Sequence, residues 1–501
     1  MLRLINIFLL ILCIQSQVLS QTVRRLNIIQ ANKLEGIESG GQKLKKLIGD
    51  VILEHEGTYM HCDSAYHYES EEYFIAWGNI RIRQGKDFDL RGNYLHYNLR
   101  TKMATIEQNV RLSDQDMTLS TTKLYYDMSK RIAYYTNSGK IVDSENTLTS
   151  QRAYYHVSDR NMYFKNYVIF VNPDFELTTD SLQYKLSNRT VYFLAPTHIK
   201  GEDLTIYCED GWYNSNSKET EFRRNAYIFN KEQQIFGDIL FYNSETEDAW
   251  ARGKVVMYDT IEKTRISGNY SEKIEAENIT FVTDSALFIK YMTNDTLYLH
   301  ADTLKLIKDS TLDKDIVLAF RDVRVLSEGF SVRCDSMVYN TNDSMIWFYF
   351  DPVLWHEKNQ ITAELIILFL KNDEVDRMEL QSNGFLAETV DSIRFNQVKG
   401  RLMTGYFKDN KLDYLDAEGN AESIYFLMDD DNKFVGRNNI TASTIRIIMG
   451  DEKISKIKFH TTPSGKVTPP KEMDNNEAFL DGFNWRENKR PMSISDLFLM
   501  E

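Results

Sequence analysis

The chain has 501 residues, enough to bury a large hydrophobic core, and its length alone suggests roughly two to four domains. Its formal net charge is −14 and no basic patch stands out in the sequence, which argues against nucleic acid as a partner. Tyr and Phe are abundant (29 and 27 residues) and Pro is scarce (7 residues), a composition that favours β-strands. We therefore predict an all-β protein.

The first 20 residues have the pattern of a signal peptide. Arg3 gives a positive start, residues 4–14 form an apolar run, and residues 18–20 (VLS) provide a cleavage site that ends in a small residue. A single membrane anchor is the alternative, but the apolar run is about half of the roughly 20 residues that a span requires. We predict that residues 1–20 direct export.

The chain then repeats with a period of 29 residues. Its marker is a column of tyrosines, each 29 residues from the next: Tyr97, Tyr126, Tyr155, Tyr184, Tyr213 and Tyr242. An aliphatic residue stands seven positions before each tyrosine: Leu90, Leu119, Leu148, Leu177, Ile206 and Ile235. A mostly apolar column, two positions before it, includes Leu95, Leu124, Leu182 and Leu240. Such a period indicates stacked structural repeats.

A column of small residues stands five positions before each tyrosine: Gly92, Thr121, Ser150, Thr179, Cys208 and Gly237. Because side chains alternate along a strand, the aliphatic and small columns share one face. The small column either leaves volume inside the stack or lets the opposite sheet approach closely, and the sequence does not distinguish these two. Cys62, Cys208 and Cys334 all fall in this column, so we interpret them as small buried residues.

The aliphatic and small pair continues with looser spacing on both sides. It begins with Ile29 and Ala31, then Met60 and Cys62, and it ends near Ile440. Many units also carry Gly or Asn just before an aliphatic residue, as at Gly49, Gly78, Asn109, Asn166 and Gly253. These residue types tolerate positive φ, so we predict a corner that starts a strand. We expect about 14 units, each of two strands of roughly eight residues.

Three features together resemble the OstA-like family. They are residues 31–36 (ANKLEG), the corner at residues 49–51 (GDV), and the repeated small-x-x-Leu-x-Tyr pattern. The resemblance is clearest over residues 22–200 and continues as a repeat to about residue 460. That family comprises periplasmic lipopolysaccharide-transport proteins and the N-terminal domain of the outer-membrane lipopolysaccharide-assembly protein. The tail at residues 479–486 is similar to the ending of long Bacteroidetes-type members.

The resemblance implies an open-ended, twisted β-jellyroll in the periplasm that encloses an apolar groove for the acyl chains of lipid A. It also implies edge-strand pairing with related jellyroll domains of inner- and outer-membrane transport components. The implied division is a signal peptide (1–20), an N-terminal jellyroll (21–200), a continuing repeat (201–460) and a tail (461–501). We expect the groove to be lined by the apolar columns: Ile29, Met60, Leu90, Leu95, Leu119, Leu124, Leu148, Leu177, Leu182, Ile206, Ile235 and Leu240.

The tail departs from the repeat and is rich in aromatic residues. Phe479, Phe483 and Trp485 either cover the last repeat, as terminal repeats require, or dock onto an outer-membrane partner. A non-lipid-binding structural or adhesive β-solenoid of the cell envelope is the alternative for the whole chain. In that alternative the aliphatic column is an ordinary dry core.

No catalytic motif occurs in the sequence, and we predict no enzyme activity, no cofactor and no metal. His55 and His356 are each followed by Glu but lack the second histidine of an H-E-x-x-H zinc site. His61 and Cys62, with Asp63 and His67, form a metal-like cluster, but neighbouring residues on a strand face opposite ways. A polysaccharide-processing β-helix enzyme would need inward-facing acids, which the columns lack.

Overall fold

The computed structural model describes residues 26–499, except 40–41, 86, 116, 293–294, 310–313, 341–342, 372–373, 410, 430–432, 451–453 and 474–477. The predicted signal peptide lies outside the described residues. Two compact units are present, one that ends at Glu202 and one that begins at Asp203. The described elements are β-strands in antiparallel pairing and a few 3₁₀ turns, which confirms the all-β class.

The first unit contains strands β1 (Asn27–Gln30), β2 (Lys33–Ser39), β3 (Gln42–His55), β4 (Thr58–Tyr68), β5 (Tyr73–Gln84), β6 (Phe88–Asn98), β7 (Met103–Asp114), β8 (Met117–Asp127), β9 (Ile132–Tyr135), β10 (Gly139–Val142), β11 (Thr147–Ser150), β12 (Arg152–His156), β13 (Asn161–Val171), β14 (Glu176–Lys185), β15 (Thr190–Phe193) and β16 (Thr197–Lys200).

The second unit contains strands β17 (Thr205–Cys208), β18 (Asp210–Asn214), β19 (Glu219–Phe229), β20 (Gln233–Asn243), β21 (Ala249–Asp259), β22 (Thr264–Ile274), β23 (Ile279–Tyr291), β24 (Thr296–Asp309), β25 (Lys314–Leu326), β26 (Ser331–Asn340), β27 (Met345–Tyr349), β28 (Val353–His356), β29 (Asn359–Thr362), β30 (Leu365–Lys371), β31 (Glu374–Thr389), β32 (Phe395–Lys408), β33 (Lys411–Met428), β34 (Phe434–Met449), β35 (Ile454–His460) and β36 (Ser464–Thr468). The 3₁₀ turns are Glu69–Glu71, Glu275–Glu277, Pro470–Glu472, Glu487–Lys489 and Ile494–Phe498.

Within each unit the strands stack in chain order by antiparallel pairing. Some levels of the stack hold two short strands in place of one long strand. For example, β9 and β10 both pair with β8, and β15 and β16 both pair with β14. With each such level counted once, the described residues form twelve long strands in the first unit and sixteen in the second. This agrees with the predicted stack of about 14 two-strand units.

Alternate strands bend in the middle at two consecutive residues of positive φ. In β7 these are Gln108 (φ 63°) and Asn109 (φ 54°). The register between β7 and β8 shifts there, so two residues of β7 oppose one residue of β8 in a β-bulge. The predicted corner residues have the expected positive φ: Gly49, Gly78, Asn109, Asn166 and Gly253. The corner lies inside a strand rather than at its start, because the same two strands resume pairing beyond the bulge.

The corner divides each long strand into two limbs whose inner faces enclose a wedge-shaped interior. We call the part with the aliphatic column the aliphatic limb and the part with the tyrosine column the tyrosine limb. Leu90 and Tyr97, on the two limbs of β6, are 0% and 1% exposed. Phe88, on the aliphatic limb of β6, stacks on Tyr126 of the tyrosine limb of β8 at 4.9 Å between ring centroids. The limbs therefore pack against each other across the interior.

The small column lies at the corner, where the two limbs converge. A Cβ atom added to Gly92 would lie 2.4 Å from Ile106 Cγ2, and one added to Gly268 would lie 2.6 Å from Val282 Cγ1. Both distances are well below the roughly 3.5–4.0 Å of favourable contact between carbon atoms. The small residues thus permit close approach of neighbouring side chains and leave no spare volume at these two glycines.

The three described cysteines belong to the same column. Cys62, Cys208 and Cys334 are buried and form no disulfide. Burial raises the pKa of the Cys62 and Cys208 thiols to about 12, so both remain uncharged at neutral pH. They act as small apolar residues, as the sequence indicated.

Replacement of Gly92 by Val tests the packing at the corner. We expect a loss of about 1–3 kcal/mol in the free energy of unfolding, because the added methyl groups meet Ile106. Gly36→Val is the control, since an added Cβ there has no neighbour within 4 Å and a surface change costs under about 0.5 kcal/mol. Urea denaturation measures both, and equal losses would contradict the close approach.

Candidate functional site

Hydrogen bonds close the mouth of the wedge in the first unit. The mouth is the side opposite the corners, where the limbs end in hairpin turns. Tyrosine hydroxyls from the tyrosine limb reach polar side chains at the end of the aliphatic limb. We call these four pairs the tyrosine seam: Tyr97 with His55 Nδ1 (2.7 Å), Tyr126 with Gln84 Oε1 (2.6 Å), Tyr155 with Asp114 Oδ2, and Tyr184 with Asp143 Oδ2 (2.7 Å).

The seam links strands that are not neighbours in the sheet. Its partners are separated by 41 or 42 residues, whereas neighbouring tyrosines of the column are 29 residues apart. Tyr126 lies on β8, for example, and Gln84 lies at the end of β5. Each bond therefore ties one limb to the other across the mouth and holds the wedge shut.

Tyr126, Tyr155 and Tyr184 keep their phenol protons, which they donate in three of the four bonds of the seam. Burial raises the pKa of Tyr126 to about 12. Burial also raises the pKa of Tyr155 and Tyr184, and the hydrogen-bonded carboxylates of Asp114 and Asp143 raise it further. A neutral phenol can donate to these acceptors, so these three bonds persist at neutral pH.

The wedge is more open in the first strands of the second unit. Leu240, Val255 and Val282 lie deep in the interior and are at most 2% exposed. Nearer the mouth, the inward-facing side chains are partly exposed. We call this set the open wedge: Ile235, Tyr242, Met257, Ile266, Phe288 and Leu297. Met257, Ile266, Phe288 and Leu297 also pack against the buried core of the unit. The site is an apolar trough with a buried floor and accessible walls.

The structure places most predicted groove residues in the interior. These are buried, with at most 7% exposure: Met60, Leu90, Leu95, Leu119, Leu124, Leu148, Leu177, Leu182, Ile206 and Leu240. Ile235 is partly exposed in the open wedge. In the first unit the columns form a closed core, whereas the second unit presents part of the same surface at its mouth.

Ile29 is an exception, because it does not belong to the buried part of the aliphatic column. It is 57% exposed and falls at a bulge in β1, where the register with β3 shifts between Ile28 and Gln30. Ile28 pairs with Leu53, which is 0% exposed, so Ile28 takes the position of the aliphatic column. The bulge turns the side chain of Ile29 away from that column. The aliphatic column is displaced by one residue at this end.

Sequence reasoning missed the acceptors of the seam. His55, Gln84, Asp114 and Asp143 recur at spacings close to the 29-residue period. The period could have identified the column, but its residue types differ. What they share is a polar atom that can accept a hydrogen bond, and that property becomes meaningful only when the tyrosine opposite is known.

The tail runs along the outer face of the second unit. We call residues 478–498 the C-terminal strap. The Leu480 backbone N–H donates to Gln397 Oε1 (2.9 Å), and the Arg486 N–H donates to Gln360 Oε1 (2.6 Å). Arg324 Nη1 donates to the carbonyl oxygen of Asp496 (2.9 Å). The strap therefore crosses β32, β29 and β25 in turn and does not simply cover the last strand.

The aromatic residues of the strap pack on the same chain. The ring centroids of Phe483 and Trp485 lie 5.1 and 4.9 Å from that of Phe395, and Phe479 stacks on Phe483 at 4.5 Å. Phe479 keeps 45% of its surface exposed. These contacts fix the strap to β32.

The metal-like cluster is divided by the strand. Cys62 is buried in the interior, while Asp63 beside it is exposed. In the part of the chain that the structure describes, no group of three or more His, Cys, Asp or Glu side chains is placed to hold a metal ion. No helix in that part has the length and apolarity needed to span a membrane.

Comparison with known proteins gives a family match for a part of the chain that begins in the first unit and ends in the second. The model of the family described as OstA-like protein matches residues 24–180 and 176–238. Residues 24–238 are thus an OstA-like region. No curated protein matches the chain. Among solved structures, it is similar to the crystal structure of LptH, the LptA-homologous periplasmic component of the lipopolysaccharide transport device of Pseudomonas aeruginosa. That match has 18% identity and a TM-score of 0.19, and covers 22% of this chain and 76% of LptH.

The raised pKa of Tyr126 predicts sensitivity to alkali. The folded state holds the Tyr126 proton more tightly than the unfolded state does. The contribution of this group to the free energy of unfolding is therefore fully present below pH 10 and declines as the pH rises towards 12. The decline contributed by this group should amount to about 2 kcal/mol. Tyr126→Phe should remove that contribution and cost about 1 kcal/mol at neutral pH.

Urea denaturation between pH 8 and 12 measures this effect. Tyr154→Phe is the matched control, because Tyr154 is next to a seam tyrosine in sequence but is 36% exposed. The seam is not pH-sensitive in this way if the wild type, Tyr126→Phe and Tyr154→Phe lose stability in parallel above pH 10.

Proposed function

We propose that this protein binds lipopolysaccharide in the periplasm and shields its acyl chains on the way to the outer membrane. The observation that carries the proposal is the open wedge, an apolar trough whose walls are partly exposed while its floor is buried. The OstA-like region supports the substrate class, because that family comprises lipopolysaccharide-transport proteins. An exposed apolar surface of this kind is otherwise costly for a protein in water.

The free energy gained by burial of an acyl chain exceeds the cost of breaking the hydrogen bonds of the seam. A chain of about ten methylenes gains about 8 kcal/mol on transfer from water to an apolar surface. One seam hydrogen bond contributes about 0.5–1.5 kcal/mol, so separation of all four would cost about 2–6 kcal/mol. The apolar side chains of the two limbs then pack against the lipid instead of against each other. Parting of the seam therefore costs less than the burial of one acyl chain gains.

The rival proposal is a structural β-solenoid that binds no lipid. The closed core of the first unit favours it, since Leu90, Leu124 and Leu177 are 0% exposed. The open wedge favours lipid binding, because a solenoid gains nothing from leaving Met257 and Phe288 partly exposed. The two proposals therefore differ in whether the inward-facing residues contact a lipid.

Photocrosslinking separates the two proposals. A photoreactive residue at Met257 or Leu119 faces the interior, whereas one at the neighbouring Val256 or Ser120 faces outward. We expect crosslinks to lipopolysaccharide from the two inward positions and a several-fold lower yield from the outward ones. Circular dichroism verifies that each variant is folded. Equal yields at the paired positions, or no crosslinks in folded variants, would contradict the proposal.

We expect the hydrogen bonds of the seam to slow the entry of lipid into the first unit. In the variant Tyr97→Phe with Tyr126→Phe, two bonds are lost while both rings remain. If parting of the seam limits entry, uptake of a fluorescent lipid A should be about tenfold faster, with unchanged capacity. Stopped-flow fluorescence measures the rate, and Tyr154→Phe serves as the control. An unchanged rate would show that the seam does not gate entry.

Strand pairing is the proposed route to partner domains. β1 has an exposed residue at every position, and Ile28 and Ile29 add apolar surface there. An edge strand of this kind invites addition of a strand from a related jellyroll domain. Phe479 of the strap, which is 45% exposed, is the proposed contact with an outer-membrane partner.

A further inference from the structure

The aliphatic limb of the second unit carries a row of buried polar side chains at its mouth end. We call this set the polar row: His356 on β28, Asn359 on β29, Glu388 on β31 and Asn396 on β32. Cross-strand pairing joins each member to the next, and each is at most 5% exposed. Glutamate is almost never fully buried unless its carboxylate is paired, so this position needs a physical explanation.

The polar row faces the interior of the wedge. Each member is two residues from a core aliphatic residue of the same strand, and residues two apart on a strand share a face. These aliphatic residues are at most 2% exposed: Leu354, Ile361, Leu386 and Val398. In the first unit the acceptors of the seam hold the same position, as Asp114 is two residues from Leu112. The polar row is thus the counterpart of those acceptors in the second unit.

Hydrogen bonds of the polar row hold the mouth shut. Glu388 Oε1 accepts from the backbone N–H of Ile454 (3.0 Å), which begins β35 at the mouth end of the tyrosine limb. Glu388 Oε2 accepts from Asn396 Nδ2 (2.6 Å), and Asn396 Oδ1 accepts from the N–H of Phe426 (3.0 Å). The two limbs can part here only if Glu388 releases Ile454.

The strands of the open wedge differ at this position. On β24 it holds Leu297, which is apolar and belongs to the open wedge. On β21 it holds Asp259, which is partly exposed to solvent. Pairing in chain order places β28 beyond β24, β25 and β26. An acyl chain that extends from the open wedge towards the C-terminal strands therefore meets the polar row.

Separation of Glu388 from its partners is unfavourable. A buried carboxylate that loses its hydrogen bonds and faces alkyl chains is among the costliest groups in a protein. The N–H groups of Ile454 and Phe426 would lose their acceptors as well. In the seam, by contrast, a phenol hydroxyl such as that of Tyr126 can rotate to a new acceptor, whereas a backbone N–H is fixed by its strand. The polar row therefore resists an acyl chain more strongly than the seam does.

Asn359 adds a polar group that an alkyl chain cannot satisfy. It is 0% exposed, and neither atom of its amide has a hydrogen-bond partner among the residues that the structure describes. A buried amide without partners lowers stability, so packing of the core does not account for it. An acyl chain offers no donor or acceptor, so its entry would not relieve this cost.

We propose that the polar row ends the lipid path of the second unit. Acyl chains lie against the open wedge and do not enter between the limbs from β28 to β35. The proposal rests on the proposed function, since it concerns where in the wedge a lipid lies. Lipid then leaves the second unit through the mouth of the open wedge and not at its C-terminal strands.

Photocrosslinking at two methionines locates the end of the path. Met257 belongs to the open wedge, whereas Met403 lies in the closed interior on β32 and is 0% exposed. A photoreactive residue replaces one or the other in the full chain, and purified lipopolysaccharide is the probe. The crosslinked product is quantified for each position.

Two double variants are compared with the wild type. The row variant is Glu388→Leu with Asn396→Leu, which makes two members of the polar row apolar. The matched control is Glu379→Leu with Thr404→Leu, a cross-strand pair on the same two strands that faces outward. Circular dichroism and urea denaturation verify that each variant is folded.

In the wild type we expect crosslinks from Met257 and about tenfold fewer from Met403. In the row variant the yield at Met403 should rise about tenfold, whereas in the control it should stay at the wild-type level. If the row variant does not fold, Glu388→Gln takes its place. Its amide oxygen still accepts from Ile454, but the charge is gone, so the yield at Met403 should rise by a smaller factor.

The outcomes separate this proposal from the proposed function. Equal yields at Met257 and Met403 in the wild type, or no rise at Met403 in a folded variant of Glu388, would overturn the role of the polar row and leave the lipopolysaccharide carrier standing. Crosslinks from Met403 without any from Met257 in the wild type would reject the polar row and the open wedge together. No crosslinks from either position in any folded protein would reject both the carrier and the polar row.

Discussion

The bend in the middle of alternate strands is the constraint on which the rest of this structure depends. Two consecutive residues of positive φ, such as Gln108 and Asn109, insert a bulge that turns the strand without ending its pairing. Each strand therefore contributes a limb to both walls of one interior. The small column follows from this bend, because side chains at the convergence of the limbs leave no room for a Cβ at Gly92 or Gly268.

A wedge built in this way can be closed or open, and the two units differ in this respect. In the first unit the tyrosine seam joins the limbs at the mouth, and the leucine columns become a dry core. In the first strands of the second unit, Met257 and Phe288 remain partly exposed above a buried floor. Under the proposed function, lipid opens the seam, because a few hydrogen bonds are weaker than the transfer of an acyl chain from water.

Outside the wedge, the two units use their outer faces differently. In the second unit the C-terminal strap covers the strands and satisfies buried polar groups, since Gln360 and Gln397 are at most 3% exposed and bond to strap backbone. In the first unit the outer face of the aliphatic limb carries Arg81, Arg91 and Arg111 opposite one another on neighbouring strands.

The sequence by itself determined the all-β class, the stacked repeat, the corners and the buried placement of the cysteines, because each depends on local periodicity or on the φ that Gly and Asn tolerate. It also placed most of the aliphatic column in the interior, although a single bulge moved Ile29 out of the row. The tertiary structure alone decided the tyrosine seam, the open wedge, the strap and the alignment of Arg81, Arg91 and Arg111 on neighbouring strands. Each of these joins residues that are distant in the chain, such as Tyr126 with Gln84 or Arg324 with Asp496. Their pairing depends on how the limbs stack in space, which no local pattern of residues records.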